Sequence, residues 1–244
     1  MLPILDDVPS GRTPLATIAL IAVNLLVFLF ELALTPGSLE ALVHLHGVVP
    51  ARWSDPRWAE AAGYPPAGWT PFLTTQFLHG GWLHLAANMW TLCLFGDNVE
   101  DRMGRPRFVA FYLLCGVAAS VTHAYALPAS RVPAVGASGA IAGVLGAYLV
   151  LYPRARLVML VPVLFYPLFF EMPAMLYLGF WFAAQLFSGA ASLGGAEDAA
   201  SGVAWWAHVG GFLAGVLSFW LFLDRRWARV REPALGPRPV WERR

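Results

Sequence analysis

Four polar residues within apolar stretches have the types and spacing needed for peptide-bond hydrolysis. Ser138 lies in the glycine- and alanine-rich stretch AVGASGAIAGVLG, and His208 begins the stretch HVGGFLAG. A neutral serine is a weak nucleophile and needs an adjacent base, which His208 can provide. His84 and Asn88, in the stretch HLAAN, lie on one helix face, so both can donate hydrogen bonds to an oxyanion.

These residues predict a Ser–His dyad rather than a triad. No acid lies near His208 in the sequence, and Glu171 is expected at the cytoplasmic edge of the membrane. Ser138 would begin a helix, where its backbone N–H has no partner within the helix and the helix dipole favours an anion. The predicted oxyanion site therefore consists of the Ser138 N–H and the side chains of His84 and Asn88.

The elements that hold these residues are predicted to lie in a membrane. The chain is 58% hydrophobic and only 13% charged, whereas about 25% of the residues of an average soluble domain are charged. A net charge of +1 indicates no nucleic-acid partner. Cys93 and Cys115 lie in apolar runs and are interpreted as small buried hydrophobic residues, because a zinc site needs more thiols at ligand spacing. No cofactor and no metal are expected.

Six apolar segments are candidate membrane spans, for which about 20 residues cross a hydrocarbon core of about 30 Å. They are Leu15–Leu34, Trp82–Val99, Phe108–Ala126, Ser138–Tyr152, Met172–Gly189 and Val203–Leu223. With six spans both termini lie on one side, and that side carries thirteen arginines against three on the other. Since basic residues favour the cytoplasmic side, both termini are predicted to be cytoplasmic. The predicted fold class is an all-α polytopic membrane protein with a six-helix bundle.

The spans also predict the domain organisation. The parts are a cytoplasmic N-terminal segment over 1–14, a six-helix membrane domain over 15–223 and an arginine-rich cytoplasmic tail over 224–244. The chain is expected to be a multi-pass integral protein of a bacterial cytoplasmic (inner) membrane.

Two connections differ in composition from plain loops. Residues 36–81 contain several Trp, Pro and Gly residues, and interfacial aromatic residues suit a structure lying at the level of the lipid headgroups. Leu157–Phe170 is apolar but interrupted by Pro162 and Pro167. Counting it as a seventh span would spoil the segregation of arginines. It is therefore interpreted as a re-entrant or interfacial connection.

The rise of an α-helix places the four polar residues in one layer of the membrane. Measured from the cytoplasmic ends of their spans, Ser138 lies about 21 Å and His208 about 22 Å deep, and His84 and Asn88 lie about 20 Å and 14 Å above Asp97. Polar groups at such a depth are costly and usually functional. Stripes of small residues on spans four and six let their backbones approach closely and would bring Ser138 beside His208. The stripes consist of Gly139, Gly143, Gly146, Gly211 and Gly215.

Together these stretches resemble the rhomboid family of intramembrane serine proteases. The matching stretches are GASGA around Ser138, AHVGGFLAG around His208, HLAAN at His84, FLHGGWLH with His79, and GDNVEDRMG at the end of span two. The resemblance covers roughly residues 15–223. It implies that Ser138 is the nucleophile and His208 the general base, and that Asn88, His84 and the Ser138 backbone hold the oxyanion.

The resemblance also implies a substrate and its route. The expected partners are the lipid bilayer and single-pass transmembrane proteins, which are cut in or near their transmembrane helix. Span five, with residues 190–202 as a mobile cap, would gate access. Two positions depart from the family pattern: Ala142 replaces an aromatic residue that packs on the histidine in some members, and Trp69-Thr70 replaces a frequent Trp-Arg pair. Another group must therefore orient His208.

Two other functions fit parts of the sequence. A catalytically inactive rhomboid-like protein would bind client helices, but such relatives typically lack the serine or the histidine, and both are present here. A small transporter or proton pathway would use His84, His123 and His208. Transporters often carry internal repeats, whereas this sequence shows no repeat between its halves and no chain of intramembrane carboxylates beyond Glu31.

Overall fold

Apolar runs of the sequence form long helices, and the stretches between them form short helices and a small sheet. The computed structural model describes residues 1–163, 166–193 and 203–224. In chain order its helices are α1 (Leu15–Leu32), α2 (Pro36–His46), α3 (Ala51–Ser54), α4 (Pro56–Ala61), α5 (Thr70–Thr74), α6 (Trp82–Met103), α7 (Arg105–Ala126), α8 (Ser138–Leu151), α9 (Ala174–Ser192) and α10 (Trp205–Phe222), with a 3-10 helix over Thr75–Phe77. The predicted tail after Asp224, and most of the predicted cap over 190–202, lie outside the described residues.

Each predicted span overlaps one of the helices α1, α6, α7, α8, α9 and α10, but these helices differ in length and apolarity. Within the described residues, four helices are long and apolar enough to cross a membrane, namely α1, α7, α9 and α10. The apolar helix α8 has only 14 residues, and α6 has 22 residues but carries several charged side chains near its end. The chain is a mostly helical membrane protein, and the number of six spans stays a prediction.

The two described ends of the chain lie at the same end of the helix bundle. The Ser10 hydroxyl donates a hydrogen bond to the Asp97 carboxylate near the end of α6. The N–H of Asp224, which follows α10, donates to the carbonyl of Arg102 at 2.9 Å. This end of the bundle is called the sheet end below. The arrangement agrees with an even number of spans, while the cytoplasmic location of the termini stays a prediction.

Helix α8 lies at the centre of the bundle, where every residue from 139 to 148 is buried. A Cβ atom added at Gly211 would lie 2.9 Å from the carbonyl carbon of Gly139, and one added at Gly215 would lie 2.8 Å from the Cα of Gly143. Side chains larger than hydrogen do not fit at such separations. The close contact predicted between spans four and six along their small residues is therefore confirmed.

A three-stranded antiparallel sheet packs at the sheet end, in the order β1 (Leu2–Asp6), β2 (Arg156–Val163) and β3 (Tyr166–Pro173). The prediction of an all-α chain is wrong for these segments. The connection predicted to be re-entrant or interfacial forms two paired strands, and its location relative to the membrane stays a prediction. Leu157 and Met159 of β2 are fully buried. The alternation of strand side chains thus gives β2 an apolar face to bury against the bundle.

The prolines of this connection are compatible with paired strands because of their register. Pro162 of β2 lies directly opposite Pro167 of β3. Neither proline can donate to the ladder, so two opposed prolines fit an antiparallel pair only at a position where the residues exchange no hydrogen bonds. The residues that indicated an interrupted helix are therefore tolerated in this hairpin.

At the opposite end, called the loop end, residues 36–81 form α2 to α5 and lead into α6. The buried Glu31 of α1 accepts the backbone N–H of His79 with both carboxylate oxygens, at 3.2 and 3.3 Å. An isolated bridge joins Val48 to Ala134, which precedes α8. Glu31 therefore anchors the turn that leads into α6, and the bridge ties the long connection to the segment before Ser138.

The stretch GDNVEDRMG at the end of α6 supports α1. The first N–H groups of a helix have no partner within it. The Glu100 carboxylate accepts the N–H of Ala16 at 3.1 Å, and the N–H and hydroxyl of Thr17 at 2.8 and 2.9 Å. A side chain of α6 thus caps α1 and fixes the two helices relative to each other.

Candidate active site

Ser138 is the first residue of α8 and lies half-buried near the loop end. Its Oγ lies 2.8 Å from Nε2 of His208, which is within hydrogen-bonding distance. As the first residue of the helix, Ser138 also has a backbone N–H without a partner in α8. The structure therefore brings together the two residues for which the sequence predicts a nucleophile and a base.

The close packing of α8 and α10 explains why these two side chains meet. His208 is the fourth residue of α10, and Gly211 lies one turn further along. Gly211 packs on the backbone of Gly139, the residue next to Ser138. Since neither glycine has a side chain to separate the helices, the beginnings of α8 and α10 lie within reach of one hydrogen bond.

The other ring nitrogen of His208 is bound by a residue that the sequence did not single out. Nδ1 lies 2.7 Å from Oε1 of Gln185, a buried residue of α9. The Trp181 ring, one turn earlier in α9, lies 5.9 Å from the His208 ring at an interplanar angle of 32°. Ala142 has no aromatic ring that could orient His208. In this structure Gln185 and Trp181 contact the His208 ring in its place. The sequence feature that could have indicated this role is the polar side chain of Gln185 within an otherwise apolar segment.

His84 and Ser138 face a common space beside Gly136. A Cβ atom added at Gly136 would lie 2.7 Å from Nε2 of His84 and 3.7 Å from Oγ of Ser138. Gly136 also has φ +132°, a backbone conformation that favours glycine. A side chain at this position would collide with the His84 ring, so glycine lets the His84 ring lie close to Gly136 and Ser138.

Asn88 lies one turn after His84 and is buried. Its Nδ2 donates to the His84 carbonyl at 2.9 Å, a bond within α6. An amide nitrogen carries two N–H groups, so this bond leaves one for another acceptor. The structure thus places His84 close to Ser138, and it directs one donor of Asn88 to its own helix.

Two cavities adjoin these residues. One of about 20 Å³ is lined in part by Ser138, Gly136 and His123. Another of about 120 Å³ is lined in part by His84, His123 and Val203. A site for one water needs at least about 10–15 Å³ and polar partners. Both cavities are large enough to hold a water molecule.

Comparison with known proteins identifies a family and several relatives of this chain. A model of the Rhomboid domain matches residues 66–225. Rhomboid protein 1, mitochondrial, from Saccharomyces cerevisiae is 31% identical over 172 residues, which are 67% of this chain and 44% of that protein. Presenilin-associated rhomboid-like protein A, mitochondrial, from Danio rerio is 33% identical over 124 residues, or 48% of this chain and 32% of that protein.

A plant protein is similar over a shorter stretch. RHOMBOID-like protein 5 from Arabidopsis thaliana is 41% identical over 71 residues, which are 29% of this chain and 23% of that protein. In each of these three comparisons the match spans less than half of the relative's length. Two of the names contain the word mitochondrial, and none supports the expectation of a bacterial cytoplasmic membrane.

Proposed function

Because the chain belongs to the rhomboid family, we propose that it is an intramembrane serine endopeptidase with Ser138 and His208 as its catalytic dyad. The observation that carries the proposal is the 2.8 Å contact between Ser138 Oγ and His208 Nε2. The substrates are single-pass transmembrane proteins, cut at a peptide bond in or near the transmembrane helix.

In the first half of the reaction, His208 Nε2 accepts the hydroxyl proton while Ser138 Oγ attacks the peptide carbonyl carbon. Negative charge builds on the carbonyl oxygen and is stabilised by the Ser138 N–H, His84 and Asn88. The C–N bond then breaks, and the His208 imidazolium gives its proton to the leaving amine. This leaves an ester between Ser138 and the N-terminal part of the substrate.

In the second half, water attacks the ester carbonyl. His208 takes a proton from the water and returns it to Ser138 Oγ as the ester bond breaks, which releases the carboxylic acid and restores the dyad. The cavities beside Ser138 and His84 are where that water would enter. No metal or cofactor takes part in the proposed reaction.

The test is cleavage of a model transmembrane substrate by the purified protein in detergent. Wild-type protein should yield two fragments and should be labelled by a fluorophosphonate, whereas Ser138→Ala should do neither. Binding of the substrate without cleavage by wild-type protein would instead favour an inactive, client-binding relative. Equal cleavage by Ser138→Ala would refute the mechanism.

A further inference from the structure

We propose that Gln185 is a positioning residue that fixes the tautomer and orientation of His208, and that it makes the alignment of the dyad depend on α9. The inference rests on the proposed function, since it assigns how the base of that reaction is held. Gln185 contacts His208 but does not itself touch the substrate or the reacting atoms.

The hydrogen bonds of Gln185 define which end of its amide faces the imidazole. Nε2 donates to the carbonyl of Trp181 at 3.1 Å, while Oε1 lies 2.7 Å from Nδ1 of His208. The opposite amide orientation would bring Oε1 against the Trp181 carbonyl oxygen, where neither atom has a proton to share. The acceptor end of the amide therefore faces His208.

This orientation selects one tautomer of the neutral imidazole. Because Gln185 Oε1 can only accept, Nδ1 must carry the ring proton. Nε2 then has a free lone pair toward Ser138 Oγ, 2.8 Å away. With the proton on Nε2, the ring would donate to the serine and could not take its proton. A bound acceptor on one ring nitrogen thus makes the other nitrogen a base, the role that a carboxylate has in a catalytic triad.

The same segment of α9 supplies two groups that orient His208. Gln185 binds Nδ1, and Trp181, one turn earlier, lies against the ring at 5.9 Å between centroids. The opposite face of α9 is open: Phe180 is 71% and Phe187 is 79% exposed. Displacement of α9 from α10 would withdraw both contacts from His208 together. The dyad is therefore aligned when α9 is packed on α10.

The test compares Gln185→Leu, which removes the acceptor, with Gln185→Glu, which keeps one. Gln185→Leu should lower kcat by up to about 10²-fold, the cost of a small misplacement of a catalytic group, with little change in KM. Gln185→Glu should retain more activity, and the acidic limb of its pH–rate profile should move to higher pH because a neighbouring carboxylate stabilises the imidazolium. Phe187→Leu, on the exposed face of the same helix, is the control and should behave as wild type.

The outcomes separate this inference from the proposed function. Failure of wild-type protein to cleave or to react with a fluorophosphonate contradicts the function itself. Active wild-type protein together with an unchanged kcat in Gln185→Leu overturns only the inference. If Gln185→Leu does not fold, Gln185→Glu decides alone, and an acidic limb that coincides with that of wild type overturns the inference.

Discussion

Gly211 of α10 and Gly139 of α8 are in backbone contact, and a Cβ atom at Gly211 would lie 2.9 Å from the Gly139 carbonyl carbon. Ser138, next to Gly139, is hydrogen-bonded to His208, which lies one turn before Gly211 in α10. The distance between the two helices therefore sets the distance between the two side chains of the proposed dyad.

Gly211→Val should separate α8 from α10 and move His208 away from Ser138. Overpacking of a tight site typically costs about 1–3 kcal/mol of stability, and a displacement of about 1 Å can cost about 10² in rate. Activity should therefore fall far more than thermal stability. Melting and substrate cleavage are measured in one detergent, with Leu217→Val, whose side chain is 71% exposed, as the control. Cleavage by Gly211→Val at the wild-type rate would contradict this coupling.

The two members of the dyad should act as one unit. Ser138→Ala and His208→Ala should each abolish cleavage while the protein still melts cooperatively, and the double variant should be no slower than either single variant. Groups that work in the same step lose their whole contribution when either is removed. Residual rates of all three variants are compared over long incubations. A double variant that is slower than both single variants by the product of their effects would argue against a dyad.

Removal of the predicted oxyanion donors should affect kcat more than KM, because these bonds form in the transition state. Loss of one such donor costs on the order of 10²–10³ in rate in a well-studied soluble protease, and this sets the upper limit for Asn88→Ala, since other donors remain. Thr91→Ala is a matched control, because Thr91 makes a similar bond within α6, to the Ala87 carbonyl at 2.8 Å. An unchanged kcat in both Asn88→Ala and His84→Ala would show that α6 serves only as scaffold.

Asp6 of β1 should make stability depend on pH. Burial raises the pKa of Asp6 from 3.8 to about 7, although the hydrogen bond from Tyr148, at 2.6 Å, opposes this rise. A carboxyl that binds its proton more tightly in the folded state contributes stability below its unfolded pKa. That contribution is lost as the pH rises from about 4 through about 7.

The measurement is the melting temperature of wild type and Asp6→Asn between pH 4 and pH 8. Asn at this position cannot ionise, so the melting temperature of Asp6→Asn relative to wild type should increase as the pH rises. Glu60→Gln, which removes an exposed acid, controls for a general effect of charge. Parallel curves for Asp6→Asn and wild type would show that Asp6 does not titrate in this range.

The spacing of residues along the helices was sufficient to predict which helices meet at the site. Glycines at Gly139 and Gly211 mark the faces of α8 and α10 that touch, and equal depth predicted that Ser138 and His208 would face each other. The contact of Gln185 with His208 could not be predicted from residue spacing. Its contact depends on the rotation and lateral position of α9, which spacing within one helix does not encode.

The sheet and two other features were missed for different physical reasons. The partner strand β1 is far from β2 in the sequence. Pro162 and Pro167 indicated an interruption, whereas their opposed register lets both fit the antiparallel pair. Glu31 was noted only as an isolated intramembrane carboxylate, and its role as the acceptor of the His79 backbone N–H was not predicted. The interpretation of the cysteines as buried is correct for Cys115 and wrong for Cys93, which is exposed.

The pairing of β1 with β2 has a consequence for the order in which the molecule is assembled. Leu2 pairs with Leu160, so β1 is synthesised long before its partner, which emerges only after α8. At about 5–20 residues per second, β1 waits roughly 8–30 s on the ribosome for β2. Closing so long a loop also costs more chain entropy than closing a local hairpin. Local contacts such as those between β2 and β3 can therefore form before β1 joins them, and β1 completes the sheet only once the helices between β1 and β2 have been synthesised.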